Sequence, residues 1–366
     1  MQAVAAFTDT YLPTVNGVTY TVTTWRDRWR ARGGEMAVVY PRADGHVPGP
    51  NEHPVTSLPF PFYDGFRLGV PRIPTALDGV DLVHVHTPFS MGVAGHRLAR
   101  RQDVPLVASY HTPTSEYAGY LTSRPALERR LARLSLGWER RFFDRATLVT
   151  APSAATRNHL VETIGVDTPV EIVPNGVDTE RFRPVETTSF RERHGLATDV
   201  PLVGYTGRHG HEKRLDVLIE AAAQLEATVV LGGDGPARPS LERRAAELDA
   251  DVRFLGFLER DELPAFYASL DVFAFPSPVE TQGIVAIEAM ACGTPVVGAD
   301  EGALAETIDD GQTGYHFAAG DPAALRAGIR RALADQTTLS QACLDRRPEL
   351  DVAEAVTRLE TLYADL

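Results

Sequence analysis

The chain has few cysteines, no long apolar run and almost no lysine. Its two cysteines, Cys292 and Cys343, are too few for a disulfide framework or a zinc cluster. It has no apolar run of about 18 residues or more, so the sequence predicts no transmembrane helix. It also has a single lysine, Lys213, among 36 basic residues. A cation that the rest of the chain avoids is a candidate for a specific role.

The balance of charge is acidic. The 49 Asp and Glu residues against 36 Lys and Arg give a formal charge of −13, which argues against a general nucleic-acid binder. The arginine content and the acidic excess suit a GC-rich genome and a saline cytoplasm equally well. A strand-like run, AVAAF, follows the first two residues with no basic leader or cleavage site, so we expect a cytoplasmic protein.

Short apolar runs alternate with amphipathic helical patterns along the whole chain, which is typical of an α/β fold with parallel sheets. The predicted strands are Gln2–Phe7, Met36–Tyr40, Asp81–Val85, Leu106–Ser109, Thr147–Thr150, Val170–Val173, Leu202–Tyr205, Thr228–Leu231, Val252–Leu255, Val272–Phe275 and Pro295–Val297. They are too many for one comfortable sheet. With 366 residues, two doubly wound domains are expected, with the boundary in 174–201.

The stretch Glu280–Val297, ETQGIVAIEAMACGTPVV, carries two carboxylates at Glu280 and Glu288. We interpret it as a loop, a helix that begins near Gly283–Ile284, a turn and a strand. The free N–H groups and the dipole at the helix N-terminus form an anion site between the two carboxylates. A nucleotide-sugar fits this order, with hydroxyls at each end and a diphosphate between them. The alternative is an amphipathic helix with a solvated glutamate at each end.

A second cationic motif follows the strand LVGYTG. Arg208 and Lys213 flank a glycine-containing turn in RHGHEK, at the carboxyl end of that strand. Ligands of open α/β sheets bind at the carboxyl ends of the strands. Two cations at this place suit a diphosphate, and the following GDG piece is a weak sign of a dinucleotide fold by itself.

The first half offers polar residues at three predicted strand ends. Asn16 and Gly17 follow the first strand, where the backbone either approaches a phosphate or only turns into a helix. His84 and His86 share a face of one strand. A metal pair lacks an evident third ligand, and a buried, hydrogen-bonded role is favoured for His84. His111 ends the strand LVASY and is expected to face the cleft.

Two further segments combine apolar and basic residues. Phe60–Pro74 holds four aromatics, two arginines and three prolines, which indicates a loop that contacts a groove or a membrane, or else a prolyl loop packed on its own domain. Pro125–Phe143 has an apolar helical face and five arginines elsewhere. It is either a core helix with a solvated basic face or a patch that rests on anionic lipid.

Together these motifs resemble the retaining glycosyltransferases of family 4, which have the GT-B fold. The matching pieces, in order, are NGV at 16–18, HT at 111–112, VPNGVD at 173–178, GR and EK within 207–213, GDGP at 233–236, RFLGF at 253–257 and the two glutamates of 280–288. The resemblance implies two Rossmann-like domains that face each other across a cleft. The acceptor domain is expected at 1–178 and the donor domain at 179–350, with a helix at 351–366 that crosses back onto the first domain.

The resemblance also assigns roles to residues of this chain. Arg208 and Lys213 bind the donor diphosphate, Glu288 accepts from the ribose and Glu280 holds the transferred sugar, while His111 lies near donor sugar and acceptor. With Arg208, Lys213 and Glu280, His111 makes up the expected catalytic set. The expected donor-binding residues are Gly17, Arg208, Lys213, Gly256, Phe257, Leu258, Glu280, Thr281, Gln282, Gly283, Ile284 and Glu288. The expected acceptor-binding residues are Asn16, Phe62, Phe66, His86 and Tyr117.

One departure from the family pattern points to a subgroup. Thr281-Gln282-Gly283 stands where phenylalanine and glycine usually follow the first glutamate. With FTDTYLPTVNGV and HVHTPFSMG, it is similar to transferases that glycosylate diacylglycerol-type lipids, including glucosyl- and sulfoquinovosyltransferases. This implies a hexosyltransferase that moves a sugar from a nucleotide-sugar to a membrane glycerolipid. A UDP-sugar is the first candidate for the donor.

The same resemblance implies a retaining reaction with no metal or other cofactor, carried out on the inner face of the cell membrane at an anionic surface, with no nucleic acid involved. Two alternatives stay open. One is a transferase that acts on a polyprenyl carrier or a soluble glycoside. The other is a non-catalytic protein that binds a nucleotide-sugar or a lipid.

Overall fold

The computed structural model describes residues 1–60, 66–113 and 125–366. The chain divides into two compact units. Unit 1 comprises Met1–Asn175 and Val352–Leu366, and unit 2 comprises Gly176–Asp351. Each unit is a parallel sheet covered by helices, so the predicted α/β class with two doubly wound sheets is confirmed.

Unit 1 is built on a seven-stranded sheet with the order β3-β2-β1-β6-β7-β8-β9, in which all pairs are parallel. A small antiparallel pair, β4 and β5, accompanies it. The strands are β1 Ala3–Phe7, β2 Glu35–Pro41, β3 Glu52–Val55, β4 Ser57–Pro59, β5 Arg67–Gly69, β6 Leu82–Val85, β7 Leu106–Ser109, β8 Leu148–Ala151 and β9 Val170–Ile172. The strand order reverses between β1 and β6, where a doubly wound sheet opens a crevice at its carboxyl edge.

The helices of unit 1 begin where side chains satisfy their free N–H groups. Asn16 caps the first helix by accepting from the amide of Thr19 at 2.9 Å. Asp9, from beyond β1, caps the second helix by accepting from the amide of Met91 at 3.1 Å. The helices are Gly17–Ala31, Ser90–Gln102, Pro125–Phe143, Ala154–Asn158 and Val352–Ala364, with 3₁₀ and π turns at Thr75–Leu77 and His159–Ile164.

The C-terminal helix Val352–Ala364 belongs to unit 1. Its apolar face, Val352, Val356 and Leu359, is buried in the same core as the first helix. Tyr363 packs against Trp29 with ring centroids 5.3 Å apart. The last residues of the chain therefore complete the core formed by the first.

Unit 2 is built on a six-stranded parallel sheet with the order β12-β11-β10-β13-β14-β15. Its strands are β10 Leu202–Thr206, β11 Thr228–Gly232, β12 Val252–Gly256, β13 Val272–Phe275, β14 Val296–Ala299 and β15 Gly314–Phe317. Its helices are Thr188–His194, Leu215–Ala222, Arg238–Glu247, Leu263–Ser269, Ile284–Ala291, Leu304–Thr307, Pro322–Ala334, Gln336–Asp345 and Arg347–Leu350, with a 3₁₀ turn at His211–Lys213. The order reverses between β10 and β13.

All the predicted strands occur within a few residues of their expected bounds, but four strands of the described chain were not predicted. They are β3, β4, β5 and β15. β3 contains Pro54 and β15 begins with Gly314, and both residues usually mark turns. Both strands lie at a sheet edge, where a proline or a glycine is tolerated.

The segment Phe60–Pro74 is not the continuous loop that was expected, because Arg67–Gly69 is strand β5, paired with β4. Phe66 packs edge-on against Phe60 and Phe89, with both centroid distances 5.8 Å. This matches the alternative of a segment packed on its own domain. Phe62 and Tyr117 lie outside the described residues.

Candidate functional site

The unit 2 site is centred on the N-terminus of helix Ile284–Ala291, which follows β13. Gly283 caps this helix with a φ of 80°. A Cβ at this position would lie 2.8 Å from Cδ2 of Leu304. Glycine is therefore required both by the left-handed backbone and by the close packing. The first N–H groups of a helix have no partner within the helix, so its N-terminus is a potential anion site.

Lys213 and Glu280 form an ion pair beside this helix N-terminus. Nζ of Lys213 donates to Oε1 of Glu280 at 2.5 Å, and the two side chains are 22% and 13% exposed. Lys213 ends the turn that follows β10, and Glu280 lies in the loop that follows β13. The only lysine of the sequence and the first glutamate of the motif therefore meet where the strand order of the sheet reverses.

Arg208 lies on the same loop as Lys213. Its guanidinium is 3.7 Å from the carboxylate of Glu212. Beneath them the hydroxyl of Tyr205 stays protonated, because burial raises its pKa well above the usual range and the charges of Glu280 and Glu212 raise it further. The loop thus presents two fixed cations and no titrating phenol.

Glu288 is buried, and both of its oxygens accept a hydrogen bond. Arg260 donates to Oε1 at 2.9 Å and the hydroxyl of Tyr267 donates to Oε2 at 2.7 Å. Burial and the Glu288 charge raise the pKa of Tyr267 well above its usual range, so the phenol remains a donor. The guanidinium of Arg260 also lies 4.9 Å from the ring centroid of Phe182. Each carboxylate oxygen retains a second lone pair for a ligand hydroxyl.

Arg260 and Tyr267 were not predicted from the sequence. Neither belongs to a motif, and they lie 28 and 21 residues before Glu288. A tyrosine on the predicted helical pattern before β13 looks like an ordinary core residue. Only the packing of helix Leu263–Ser269 against helix Ile284–Ala291 reveals its partner.

The loop after β12 presents an exposed aromatic ring. Gly256 has a φ of 76° and its carbonyl accepts from the amide of Gly233 at 2.6 Å. Phe257 is 59% exposed, whereas the next residue, Leu258, is buried. The turn therefore holds the backbone of 256–258 at the carboxyl edge, with Leu258 as its anchor in the core.

The unit 1 residues lie at the carboxyl ends of β1, β6 and β7. Asn16, besides capping the first helix, donates from Nδ2 to the hydroxyl of Thr10 at 2.7 Å, and Gly17 begins that helix. Asp9 accepts from the hydroxyls of Thr87 and Ser90 at 2.6 and 2.7 Å. Burial nevertheless raises the pKa of Asp9.

Three neighbouring histidines lie at the carboxyl ends of β6 and β7. They are His84, His86 and His111. His84 bonds to Tyr363 through Nδ1 at 2.5 Å and to Ser109 through Nε2 at 2.7 Å. Nδ1 of His86 lies 3.0 Å from Nε2 of His111. His84 and His86 are buried, whereas His111 is half-buried.

Comparison with known proteins identifies the class. Residues 15–181 match the family described as Glycosyltransferase Family 4, and residues 186–346 match Glycosyl transferases group 1. The structure is similar to sucrose-phosphate synthase from Thermosynechococcus elongatus, with a TM-score of 0.82 and 23% identity over 100% of this chain and 99% of that one. Anabaena HepE in complex with UDP and glucose gives a TM-score of 0.78 and 23% identity over 100% of both chains. These likenesses confirm the predicted GT-B fold.

Curated relatives are closer in sequence. A GDP-mannose-dependent alpha-mannosyltransferase of Mycobacterium tuberculosis is 33% identical over 87% of this chain and 84% of its own length. Sulfoquinovosyl transferase SQD2 of Arabidopsis thaliana is 31% identical over 83% of this chain and 61% of its own length. A D-inositol 3-phosphate glycosyltransferase of Geodermatophilus obscurus is 36% identical over 71% and 61%. The chain belongs to the family 4 glycosyltransferases, enzymes that transfer sugars from nucleotide-sugar donors.

The described part of the chain contains neither a membrane-spanning helix nor a metal-binding cluster. None of the helices combines the length and apolar character needed to cross a bilayer. Within residues 1–60, 66–113 and 125–366, no group of three or more His, Cys, Asp or Glu side chains is placed to hold a metal ion.

Proposed function

We propose that the protein is a retaining hexosyltransferase that moves a sugar from a nucleotide-sugar to a hydroxyl of a membrane glycerolipid. A UDP-sugar is the first candidate for the donor. The observation that carries the proposal is the pairing of Lys213 with Glu280 at the N-terminus of helix Ile284–Ala291. A cation for a diphosphate and an acceptor for sugar hydroxyls stand side by side there, next to free N–H groups. Arg208 supplies a second cation.

In the proposed reaction the bond between the anomeric carbon and the leaving phosphate oxygen breaks. The acceptor oxygen bonds to that carbon on the same face, and its proton passes to the leaving diphosphate. Arg208, Lys213 and the helix N-terminus stabilise the charge that grows on the leaving group. These groups are proposed to make a metal unnecessary, so activity should survive a chelator.

Glu280 and Glu288 are proposed to hold opposite ends of the donor. Glu280, anchored by Lys213, accepts from hydroxyls of the transferred sugar. Glu288, anchored by Arg260 and Tyr267, accepts from the ribose. The turn at 256–258 is proposed to contact the base through its backbone.

Retention is supported by a relative named as a GDP-mannose-dependent alpha-mannosyltransferase. GDP-mannose is itself an α-glycoside, so an α-product from it keeps the configuration of the donor. The test is proton NMR of the product formed by this protein. An inverted anomer would refute the proposed mechanism.

The donor and acceptor are tested together. Purified protein would receive UDP-glucose, UDP-sulfoquinovose or GDP-mannose with a membrane lipid extract, and products would be identified by mass spectrometry. A glycolipid from a UDP-sugar supports the proposal. A mannosylated product would move the base assignment to GDP, which the mannosyltransferase relatives favour. Binding of the donor with neither transfer nor hydrolysis would favour a non-catalytic protein.

A soluble acceptor is the second candidate. Several relatives at 36–37% identity are named as D-inositol 3-phosphate glycosyltransferases, although they match only 64–71% of this chain. Supplying D-inositol 3-phosphate in place of the lipid extract distinguishes the two acceptors. Transfer to it alone would end the lipid assignment.

An anionic membrane surface is proposed as the partner of helix Pro125–Phe143. Near the end of its apolar face Phe142 is buried, whereas Leu134 is 62% exposed and Leu127 and Trp138 are exposed as well. Exposed arginines at 130 and 133 flank this face. Attraction of about 1 kcal/mol per basic residue near an anionic surface is enough for reversible binding.

Co-sedimentation with anionic vesicles tests this surface. The variant Arg133→Glu with Leu134→Ser should bind less than the wild type, and binding should weaken as salt screens the charges. Arg253→Glu, an equal charge reversal at an exposed site of unit 2, is the matched control and should bind as the wild type does. Equal binding by all three proteins would defeat the idea.

A further inference from the structure

Three aromatic rings, those of His84, His111 and Trp25, surround the ring of His86. The ring of His86 stacks on His84 at 4.2 Å and on His111 at 5.3 Å, with an angle of 19° between the latter two planes. Trp25 lies 5.9 Å from His86 and 6.3 Å from His111. Because His86 cannot turn in this stack, its Nδ1 is held 3.0 Å from Nε2 of His111.

His86 is less accessible than His111. The residue is 2% exposed, whereas His111 is half-buried and has the more open position. A role of His86 that acts through its contact with His111 is therefore favoured.

The protons of the two rings are coupled. Burial lowers the pKa of His111 to about 4 and that of His86 well below its usual range, so both are neutral near pH 7. A neutral imidazole carries one N–H. If His86 donates from Nδ1, then His111 accepts at Nε2 and carries its proton on Nδ1. If His111 donates instead, its Nδ1 is bare and His86 carries its proton on Nε2.

The surroundings of His86 decide between these two states. Its Nε2 is buried and has no hydrogen-bond partner among the described residues. The second state would place an N–H there with nothing to accept it. Orphaned buried N–H groups are rarer in proteins than under-satisfied acceptors, so the first state is favoured.

We propose that His86 is a positioning residue that donates from Nδ1 to Nε2 of His111 and holds His111 in its Nδ1–H tautomer. His111 then meets the substrate as a neutral hydrogen-bond donor towards a sugar hydroxyl or a phosphate oxygen. It has no lone pair on Nδ1 with which to act as a base. This agrees with transfer of the acceptor proton to the leaving diphosphate, and the role rests on the proposed glycosyl transfer.

The tautomer is measured directly in the ligand-free protein. Protein labelled with ¹⁵N-histidine would be studied near pH 7.5 by long-range proton–nitrogen correlation, with His111 assigned through His111→Gln. We expect a protonated Nδ1 and a bare Nε2 on His111. His86→Leu should shift His111 towards the Nε2–H form. A protonated Nε2 in the wild type, or an unchanged His111 in His86→Leu, would overturn the proposal.

The matched control is His84→Leu. His84 is also buried, its ring centroid lies 4.2 Å from that of His86, and both of its nitrogens bond elsewhere, to Tyr363 and Ser109. Its loss should cost stability as the loss of His86 does, yet leave the tautomer of His111 unchanged. A general disturbance of the stack would instead change His111 in both variants.

Kinetics separate positioning from a merely structural role. His86→Leu should lower kcat roughly tenfold to hundredfold, as the loss of an orienting partner does at other sites, with KM for the nucleotide-sugar nearly unchanged. In a His111→Ala background the same change should have no further effect, since the two residues act as one unit. His86→Asn should recover part of the loss, because its amide can donate near the position of Nδ1.

An additive double mutant would show that His86 acts independently of His111 and would overturn the proposal. Absence of transferase activity in every variant would instead count against the proposed function. The tautomer measurement needs no turnover, so these two failures are distinguishable.

Discussion

Removing the hydroxyl of Tyr267 is a sharp test of the buried support for Glu288. Tyr267→Phe deletes one hydrogen bond, 2.7 Å long, to a carboxylate that solvent does not reach. A hydrogen bond to a charged group contributes about 1.5–3 kcal/mol. The ring keeps its packing against Phe182 and Phe273. We therefore expect the free energy of unfolding of unit 2 to fall by about 1.5–3 kcal/mol.

The matched control is Tyr315→Phe in the same unit. The hydroxyl of Tyr315 donates to Asp335 at 2.6 Å, but Asp335 is exposed, so water can replace the lost donor. This change should cost about 1 kcal/mol or less. Only Tyr267→Phe should also weaken nucleotide diphosphate binding, measured by calorimetry. Glu288, the proposed ribose acceptor, then loses one of the two donors that hold its carboxylate in place.

Urea unfolding is best followed with two probes. Trp25, Trp29 and Trp138 all belong to unit 1, so tryptophan fluorescence reports on that unit, whereas circular dichroism reports on both. The expected change is a shift of the transition seen by circular dichroism. Equal stability losses in Tyr267→Phe and Tyr315→Phe, or unchanged nucleotide affinity in both, would refute the reasoning.

Three further predictions concern the rest of the two sites. Lys213→Met should lower kcat/KM by roughly 10²–10³, and near wild-type turnover would remove Lys213 from the diphosphate site. Gly283→Ala should destabilise the protein more than Gly195→Ala in thermal melts, because both have positive φ but only Gly283 has Leu304 within 2.8 Å of the added Cβ. Burial lowers the pKa of His84 to about 3 and of His111 to about 4, so the unfolded chain binds protons first as pH falls below 6.5. Stability should then fall by about 1.4 kcal/mol per pH unit for each of these two histidines, and urea melts of His84→Leu should show a shallower fall.

The sheets could be predicted from the sequence because their strands are buried on both faces. Continuous apolar runs such as those of β7 and β13 mark such strands wherever they stand. The edge strands β3 and β15 escaped prediction because an edge accepts polar residues, proline and glycine. Their pairing depends on the neighbouring strand and leaves little trace in their own composition.

The proximity of Lys213 and Glu280 followed from topology, since both were placed after strands of one parallel sheet. The partners of Glu288 did not follow, because the packing of two helices decides which tyrosine reaches the carboxylate. The contact between His84 and Tyr363 joins residues 279 positions apart. No local pattern could predict it, because it depends on where the C-terminal helix lies in unit 1.

The pairing of the carboxylates bears on the chemistry that they can perform. Glu280 is bonded to Lys213, Glu288 to Arg260 and Tyr267, and Asp9 to two hydroxyls and a helix N-terminus. A nucleophile or general base needs a lone pair aimed at the reacting atom and little competition for it. Each of these carboxylates instead orients a neighbour or is oriented by one. Because these carboxylates already have hydrogen-bond partners, they support a reaction in which the leaving diphosphate takes the proton. The protein then supplies cations, hydrogen-bond donors and fixed geometry.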